Sequence, residues 1–451
     1  MSVPTVLVLP FPAQGHVNPM VILSEKLVEQ GCNVIFVNTE FNHKRVMSSM
    51  VEQQHSLDKS QIKLVSFPDG LGPDDDRNNE KLCDAVLSSM PTSLEKLIED
   101  IHLEGENKIS FLVADFFMAW AMDVAAKFGI KGAIFCPCSA AVFAAAYSIP
   151  KLLHDGILNS DGLMITTTKA IQISPEMPEL DVRVLCWLRA GDTINNVKPI
   201  FDLIAHCARS ANLTEWWLCD TTYEFEPKVL PYFPKILPIG PLLRSYENTN
   251  ATPRSLGQFW EEDLSCMNWL DQQPHGSVTY VAFGSFTLFD QNQFNELAHA
   301  LDLTNKPFLW VVRQDNKMTF PSNFHGHKGK IVSWAPQQKV LNHHVISCFV
   351  THCGWNSTME GLSNGVPLLC WPYFVDQFYN KILICDKLNV GIDLNSNENG
   401  LVSRWEIKKK LDELLADEKI RTRSLKLKEK TRENQGLSLE NINKFVKWLK
   451  E

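Results

Sequence analysis

Residues 334–377 read WAPQQKVLNHHVISCFVTHCGWNSTMEGLSNGVPLLCWPYFVDQ. Within this stretch, Ile346–Thr351 is apolar and rich in residues that favour strands, which predicts a buried strand. A tight turn, His352–Trp355, follows it. The next residues, Asn356–Thr358, are of types that favour the start of a helix, so a helix is predicted there. A strand that passes through a short turn into a helix is the repeating unit of a parallel α/β sheet.

The predicted turn is suited to binding a phosphate group. The first N–H groups of a helix have no partner within the helix and carry the positive end of its dipole. A phosphate can bind there without a metal ion. His352, Asn356 and Ser357 add side-chain hydrogen-bonding groups at the same place, and Glu360 lies just inside the helix.

The same pattern is repeated one unit later along the chain. Val366–Cys370 is predicted to be a strand, and Asp376 and Gln377 open the helix that follows. Ligands of open parallel sheets bind at the carboxyl ends of the strands. A carboxylate, which only accepts hydrogen bonds, beside an amide, which donates and accepts, suits the hydroxyl groups of a sugar. Trp334 follows a further predicted strand, 330–333, where its indole can stack on a flat base.

Each of these residues has a structural explanation when it is taken alone. Trp334 could be an ordinary core or surface aromatic, His352 a hydrogen-bonded structural histidine, and Asp376 a helix cap. Their joint spacing favours instead a site that holds a base, a ribose, a diphosphate and a sugar in a row.

The beginning of the chain supplies a second α/β unit. Residues 4–11 are predicted to form a strand, Asn18 and Pro19 to start a helix as its cap and first residue, and residues 33–38 to form the next strand. The G-x-G-x-x-G fingerprint is absent from this turn, so a dinucleotide cofactor is not indicated.

Two residues at predicted strand ends in this unit carry the chemistry of a general base. His16 lies in the turn after the first strand, and Asp115 follows the predicted strand 109–114. An imidazole oriented by a carboxylate is a common arrangement for removing a proton from a hydroxyl group. Either residue alone is also explained as a cap or turn residue, whereas the pair at strand ends of one sheet favours catalysis.

These segments resemble the plant family 1 UDP-dependent glycosyltransferases, and residues 334–377 match the signature box of that family. The segments FPAQGHVNPM at 11–20, VADFFMAWAMDVA at 113–125 and AFGS at 282–285 match in the same order. The resemblance implies an α/β protein of the GT-B fold, with two Rossmann-like parallel-sheet domains that face each other across a cleft.

The resemblance and the composition of the segments together predict the domain organisation. Residues 1–240 are expected to bind the acceptor, and 241–263, polar and turn-rich, to form a linker. Residues 264–433 are expected to bind the UDP-sugar, and 434–451 to form a helix that packs back on the first domain. That last helix is predicted to begin at Ser438, with Leu439, Ile442, Phe445, Val446 and Leu449 on one apolar stripe.

The resemblance also implies an activity and the residues that perform it. It implies inverting, metal-independent transfer of a sugar from a UDP-sugar to a hydroxyl group of a small hydrophobic metabolite such as a flavonoid, phenol or terpenoid. His16 is the expected base and Asp115 its partner. The expected donor-site residues are Trp334, Ala335 and Gln337 at the uracil, Glu360 at the ribose, Ser285, His352, Asn356 and Ser357 at the diphosphate, and Trp355, Asp376 and Gln377 at the sugar.

By the same resemblance, the glutamine that ends the box, where relatives that use galactose often have a histidine, favours UDP-glucose as the donor. The UDP-sugar is a co-substrate, and no separate cofactor or metal is expected. Several apolar residues are candidates for the acceptor pocket, although each is equally well explained as a core residue: Phe116, Phe117, Phe143, Tyr147, Trp187 and Phe374.

Composition excludes several other classes. A net charge of −9 argues against a nucleic-acid-binding protein. No apolar run reaches the roughly 18 residues that span a bilayer, and the amino terminus lacks the basic region of a signal peptide. We therefore expect a cytoplasmic protein. A monomer is also expected. The twelve cysteines show no metal-binding spacing, and Asp74–Asp76 is predicted to be an exposed acidic loop.

Two alternatives belong to other functional classes. One is a non-catalytic UDP-sugar-binding protein on the same scaffold, against which the presence of both His16 and Asp115 argues. The other is a nucleotide-sugar epimerase or dehydrogenase, which would need the nicotinamide site that the missing glycine fingerprint does not provide.

Overall fold

The computed structural model describes residues 3–49, 62–77, 79–104, 108–174, 176–190, 194–244 and 256–451. The chain divides into two compact units. Unit 1 comprises Met1–Trp260 together with Gln435–Glu451, and unit 2 comprises Glu261–Asn434.

Unit 1 is built on a parallel sheet with helices between its strands. Its elements in chain order are β1 Thr5–Leu9, α1 Gln14–Glu29, β2 Asn33–Thr39, α2 Glu40–Ser49, β3 Ile62–Phe67, α3 Asn79–Ser88, α4 Met90–Leu103, β4 Phe111–Asp115, α5 Ala121–Lys127, β5 Lys131–Cys136, α6 Ala140–Tyr147, α7 Ile149–His154, β6 Ala170–Ile171, β7 Leu180–Asp181, α8 Ile194–Ser210, β8 Trp216–Cys219 and β9 Ile236–Pro238. The parallel strands lie in the order β3-β2-β1-β4-β5-β8-β9, and β6 and β7 form a separate two-stranded antiparallel pair.

The strand order places a topological switch point between β1 and β4. These two strands pair in parallel from Val6 opposite Phe111 to Leu9 opposite Ala114, and both are completely buried, which explains their nearly unbroken apolar sequences. Chain connections leave β1 and β4 in opposite directions, so a crevice opens at their carboxyl ends, where ligands bind in sheets of this kind.

Unit 2 repeats this architecture. Its elements are α9 Ser265–Leu270, β10 Val278–Ala282, α10 Gln291–Thr304, β11 Phe308–Val311, β12 Gly329–Val332, α11 Gln337–Asn342, β13 Ile346–Thr351, α12 Trp355–Ser363, β14 Leu368–Cys370, α13 Gln377–Ile382 with a π-helical continuation Leu383–Lys387, β15 Gly391–Asp393, α14 Arg404–Ala416 and α15 Glu418–Glu433. All strand pairs are parallel, in the order β12-β11-β10-β13-β14-β15. The switch point of this sheet lies between β10 and β13.

The last helix, α16, Gln435–Lys450, belongs to unit 1. Ile442, Phe445, Val446 and Leu449 are buried in the same core as α1 and the first strands. Burial of each such side chain contributes about 1.5–3 kcal/mol. The prediction that α16 begins at Ser438 is wrong by one turn, and Leu439 is about half exposed instead of lying on the buried stripe.

The segment predicted to be a linker is only partly described, since residues 245–255 lie outside the described part of the chain. On either side of that gap, Leu242, Leu256 and Phe259 are buried in the core of unit 1. In this region the described chain is therefore packed on unit 1 as far as Trp260.

Two predicted helix starts are wrong. Helix α1 begins at Gln14, so His16 lies in its first turn and Pro19 lies inside the helix. The buried amide of Gln14 donates to the carbonyl of Gly257 and accepts from the N–H of Phe259, which anchors the early start. Helix α12 begins at Trp355, with Gly354 as its cap, so Asn356–Thr358 lie within the first turn. In the described part of the chain, no helix is long and apolar enough to cross a membrane.

Candidate active site

The switch point of unit 1 brings His16 and Asp115 together. Asp115 is the last residue of β4 and is completely buried. Its Oδ2 lies 2.7 Å from Nδ1 of His16, and its Oδ1 accepts a hydrogen bond of 2.9 Å from the N–H of Phe117. Because both oxygens are engaged, the carboxylate is fixed. The ring of His16 is partly exposed, so its second nitrogen, Nε2, is the one that remains for a substrate.

Two aromatic rings surround the imidazole. The ring centroids of Phe11 and Phe117 lie 5.1 and 5.4 Å from that of His16, and they lie 5.4 Å from each other in an edge-to-face arrangement. Both phenylalanines are partly exposed. They form an apolar surface beside the candidate base. Sequence reasoning missed Phe11, although its place two residues after β1 was a usable signal.

The other acceptor-pocket candidates of unit 1 have different environments. Phe143 and Trp187 are completely buried, and the indole N–H of Trp187 donates to the carbonyl of Gly162. Phe116 is buried against Phe143, with ring centroids 5.0 Å apart. Tyr147 is partly exposed and donates to Asn212 Oδ1. The structure gives Phe143 and Trp187 the environment of core residues.

In unit 2, the ring of His352 fills the space between two turns. His352 follows β13, and a Cβ atom built on Gly284, after β10, or on Gly354, at the start of α12, would lie 2.5 or 2.4 Å from its Nε2. Such distances are too short for a methyl group. The sequence therefore needs glycine on both sides of this imidazole. Gly284 also has a φ of +65°, which glycine adopts without strain.

His352 is a neutral imidazole at neutral pH. Burial and, to a smaller extent, the nearby positive charge of Arg313 together lower its pKa to about 4. Its Nδ1 atom is buried and has no hydrogen-bond partner among the residues that the structure describes. A buried polar atom that lacks a partner in the protein is suited to an oxygen of a bound ligand.

Arg313 holds the loop that carries Ser285. This buried guanidinium donates to the carbonyl oxygens of Gly284 at 2.8 Å and Thr287 at 3.2 Å, and it is paired with Asp315. Ser285 is partly exposed in the turn between these two carbonyls. The local sequence pattern did not indicate a role for Arg313. This residue follows β11, whereas the carbonyl groups that it contacts lie in the turn after the neighbouring strand β10.

Three predicted donor-site residues form one hydrogen-bonded group. The amide nitrogen of Gln337 donates to Ser357 Oγ at 2.8 Å and to Glu360 Oε2 at 2.6 Å. Its oxygen accepts from the hydroxyl of Tyr280, a buried side chain of β10, at 3.1 Å. Burial raises the pKa of Tyr280 well above its usual value, so it remains a hydroxyl donor. Gln337 thus orients Glu360 and Ser357.

The residues predicted to bind the sugar are also held in fixed orientations. Oε1 of Gln377 accepts hydrogen bonds from the N–H groups of Tyr373 and Phe374, both at 2.8 Å. Only an oxygen can accept two N–H groups, so the amide NH₂ of Gln377 is the part left for a ligand. Asp376 is partly exposed and its Oδ2 accepts from Asn380. Between Phe374 and Asp376, Val375 has a φ of +41°, which is strained for a β-branched residue.

The remaining predicted donor residues lie in the same unit. Trp334 is partly exposed just after β12, and its carbonyl accepts from the N–H of Asp263. Ala335 and Trp355 are buried, and Asn356 and Phe374 are partly exposed. These residues follow β12, β13 and β14, so they share the carboxyl edge of one sheet.

The acidic triplet Asp74–Asp76 is an exposed turn in unit 1. Asp75 accepts from Lys81 and from the N–H of Gly72, and these two hydrogen bonds lower its pKa. In the described part of the chain, no three His, Cys, Asp or Glu side chains are placed to hold a metal ion. All twelve cysteines are described, and each is a free thiol.

Comparison with known proteins identifies the family. A family model described as UDP-glucoronosyl and UDP-glucosyl transferase matches residues 255–437, and a glycosyltransferase N-terminal domain model matches residues 2–196. UDP-glycosyltransferase 83A1 of Arabidopsis thaliana is 43% identical over 459 residues, covering 100% of this chain and 97% of that protein. A 7-deoxyloganetin glucosyltransferase of Gardenia jasminoides is 30% identical, covering 98% and 96%.

A solved structure shows the same fold. A UDP-glucosyltransferase from Polygonum tinctorium, described as capable of glucosylating indoxyl and solved with 3,4-dichloroaniline, superposes with a TM-score of 0.80 at 26% identity, covering 100% of both chains. The two Rossmann-like units therefore form the GT-B fold that the sequence predicted.

The fold and the two family models that match the chain define a glycosyltransferase that uses a UDP-linked sugar. The chain belongs to the family of plant UDP-glycosyltransferases, and it is an enzyme of that class.

Proposed function

We propose that this enzyme transfers glucose from UDP-glucose to a hydroxyl group of a small hydrophobic metabolite, with inversion at the anomeric carbon and without a metal ion. The observation that carries the proposal is the contact of 2.7 Å between His16 and the buried Asp115. Glucose as the donor sugar is supported by the two relatives whose names describe glucosyl transfer.

His16 is the proposed general base. Nδ1 carries the proton that is shared with Asp115, so Nε2 accepts the proton of the acceptor hydroxyl as its oxygen attacks the anomeric carbon. Asp115 stabilises the imidazolium ion that forms. General-base assistance of this kind typically contributes 10²–10⁴-fold to the rate.

In the same step the bond between the anomeric carbon and the diphosphate oxygen breaks, and UDP leaves with the bonding electrons. Neutral His352, the first N–H groups of α12 and the side chains of Ser285, Asn356 and Ser357 are the groups proposed to hold the diphosphate. Because hydrogen-bond donors aimed at developing charge stabilise a transition state, this turn supports departure of the leaving group. Trp334 is proposed to stack on uracil, and Glu360, oriented by Gln337, to bind the ribose.

The acceptor is proposed to be apolar because its hydroxyl must reach Nε2 of His16 beside the rings of Phe11 and Phe117. Flavonoids, phenols and terpenoids share this chemistry. Of the predicted acceptor residues, Phe117 remains the one with the best support, since it is partly exposed and directly contacts the imidazole.

A direct test is to incubate the purified protein with UDP-glucose and a panel of phenolic and terpenoid alcohols. Glucosides are identified by mass spectrometry, and their anomeric configuration by NMR. The proposal expects β-glucosides, activity that persists in EDTA, and a loss of turnover in His16→Ala while UDP still binds. Retention of configuration, full loss of activity in EDTA that a metal restores, or transfer only from another UDP-sugar would contradict the corresponding part of the proposal.

A further inference from the structure

Asn380 is a completely buried polar residue in α13 that belongs to no part of the predicted donor site. Both hydrogens of its amide are used. Nδ2 donates to Oδ2 of Asp376 at 2.8 Å, one turn earlier, and to the carbonyl oxygen of Cys353 at 2.9 Å. Both partners only accept hydrogen bonds here, so the site requires a side chain with two donors on one nitrogen.

The bond to Cys353 fixes the plane of the Asn380 amide. Cys353 lies in the turn between β13 and α12 and has a φ of +65°, an unusual conformation for a residue other than glycine. Its N–H donates to Thr351 Oγ1 at 3.1 Å, so this turn is tied at both the N–H and the carbonyl. An amide plane that is anchored on this turn directs its second hydrogen at Asp376.

A carboxylate at the start of a helix can rotate unless something holds one of its oxygens. A hydrogen bond to a charged group is shorter and stronger than a neutral one, and a buried donor is not replaced by water. Asn380 therefore selects one orientation of Asp376. Since Gln377 is held by the N–H groups of Tyr373 and Phe374, both members of the pair have fixed directions.

We propose that Asn380 is a positioning residue for sugar recognition: it holds the carboxylate of Asp376 in the orientation in which this carboxylate binds a hydroxyl group of the transferred sugar. This inference rests on the proposed role of Asp376 in binding that sugar. It adds a residue outside the stretch 334–377 to the machinery that distinguishes a UDP-sugar from UDP.

The test compares Asn380→Leu, which removes both donors, with Asn441→Leu as a control. Asn441 is likewise buried and donates to a backbone carbonyl, that of Pro238, at 2.8 Å, but it lies in unit 1 on α16. Steady-state kinetics gives kcat/KM for UDP-glucose, calorimetry gives the affinity for UDP, and thermal unfolding shows that each variant is folded. Asn380→Asp, which keeps the size of the side chain, replaces Asn380→Leu if the latter does not fold.

We expect Asn380→Leu to lower kcat/KM for UDP-glucose by about 10- to 100-fold, the equivalent of one hydrogen bond to a charged group, with a much smaller change in UDP affinity. Asn441→Leu should leave both quantities near the wild-type values. An equal loss of UDP affinity and of kcat/KM would overturn the inference, because it would show that Asn380 supports the whole turn and not Asp376. No change in kcat/KM would overturn it as well.

A double-variant cycle separates this inference from the proposed function. If Asn380 acts through Asp376, then Asn380→Leu should lower kcat/KM for UDP-glucose only slightly in a protein that already carries Asp376→Ala. If the two residues act independently, the losses in the free energy that corresponds to kcat/KM should add. If Asp376→Ala alone leaves kcat/KM unchanged, the proposed sugar-binding role fails, and the inference fails with it. A loss in Asp376→Ala without a loss in Asn380→Leu overturns the inference alone. Should the wild-type enzyme prefer another UDP-sugar, the same comparison is made with that sugar.

Discussion

Asp115 contacts His16 and the backbone of Phe117 with different oxygens. Oδ2 lies 2.7 Å from Nδ1 of the imidazole and Oδ1 lies 2.9 Å from the N–H of Phe117, in a carboxylate with no exposure to solvent. This geometry sets the tautomer of His16, because a carboxylate can only accept and Nδ1 must therefore carry the hydrogen.

The substitution Asp115→Asn tests this relationship. The amide oxygen can still accept from Phe117, which turns the NH₂ group toward Nδ1 and places the imidazole hydrogen on Nε2, where it cannot receive a proton from the acceptor. We expect kcat to fall by about 10²–10⁴-fold, with UDP affinity unchanged. Nitrogen NMR of labelled histidine reports the tautomer directly. Wild-type turnover in this variant would show that the pair is not the catalytic base.

Gly354 provides a steric test of the turn that is proposed to bind the diphosphate. Its φ of −59° is accessible to any residue, so the effect of Gly354→Ala comes only from the added methyl group, which would lie 2.4 Å from Nε2 of His352. We expect a substantially weaker affinity for UDP, since the imidazole must move.

Gly436→Ala is the matched control for this test, because nothing lies within 4 Å of a Cβ atom at Gly436, which is in helix α16. We expect this variant to bind UDP normally and to be slightly more stable, since alanine favours a helix. Unchanged UDP affinity in Gly354→Ala would remove His352 from the nucleotide site.

Local sequence patterns were sufficient to locate the strands that carry the candidate site. Strand β13 has the predicted bounds, and Asp115 and His352 lie at strand ends as predicted. Both could be located because an apolar run followed by polar residues indicates where a buried strand ends. The start of α1 could not be predicted in this way. Gln14 is anchored by Gly257 and Phe259, which are distant in sequence. The residues that neighbour Gln14 in the sequence give no indication of these hydrogen bonds.

The same reason explains the positioning residues that sequence reasoning missed. Tyr280, Arg313 and Asn380 are buried, and each donates a hydrogen bond to a residue of another element or of the turn that follows another strand. In the sequence, Tyr280 looks like an ordinary strand aromatic and Asn380 like an ordinary helix residue. Their function depends on which strands are neighbours in the sheet, and that is a property of the topology.

The orientation of Gln377 leads to a prediction about the sugar. Gln377→Glu keeps an oxygen for the N–H groups of Tyr373 and Phe374 but presents a second oxygen where the wild-type enzyme presents an NH₂ group. We expect kcat/KM for UDP-glucose to fall by about 10- to 100-fold, while UDP affinity is retained.

Gln272→Glu, at an exposed position of the same unit, introduces the same charge and serves as the control. Deoxyfluoro analogues of UDP-glucose provide a second measurement. Fluorine can accept but not donate a hydrogen bond, so the wild-type enzyme should tolerate it at the hydroxyl that faces Gln377. If Gln377→Glu has the wild-type kcat/KM, the amide does not contact the sugar as a donor.

Burial of His352 predicts how the stability of the enzyme depends on pH. Its pKa is about 4 in the folded protein and near 6.5 in the unfolded chain, so the unfolded state takes up the proton first as the pH falls. The contribution of this residue to stability is thus complete above pH 6.5 and is lost as the pH falls toward 4. The loss amounts to roughly 3 kcal/mol at its full extent.

His352→Gln, which cannot be protonated in this range, should lack this component. Unfolding of both proteins by denaturant at pH 7 and at pH 4.5, without UDP, measures the difference. We expect the stability of the wild-type protein to fall more steeply than that of the variant. Parallel pH dependences would show that His352 is not buried as a neutral imidazole.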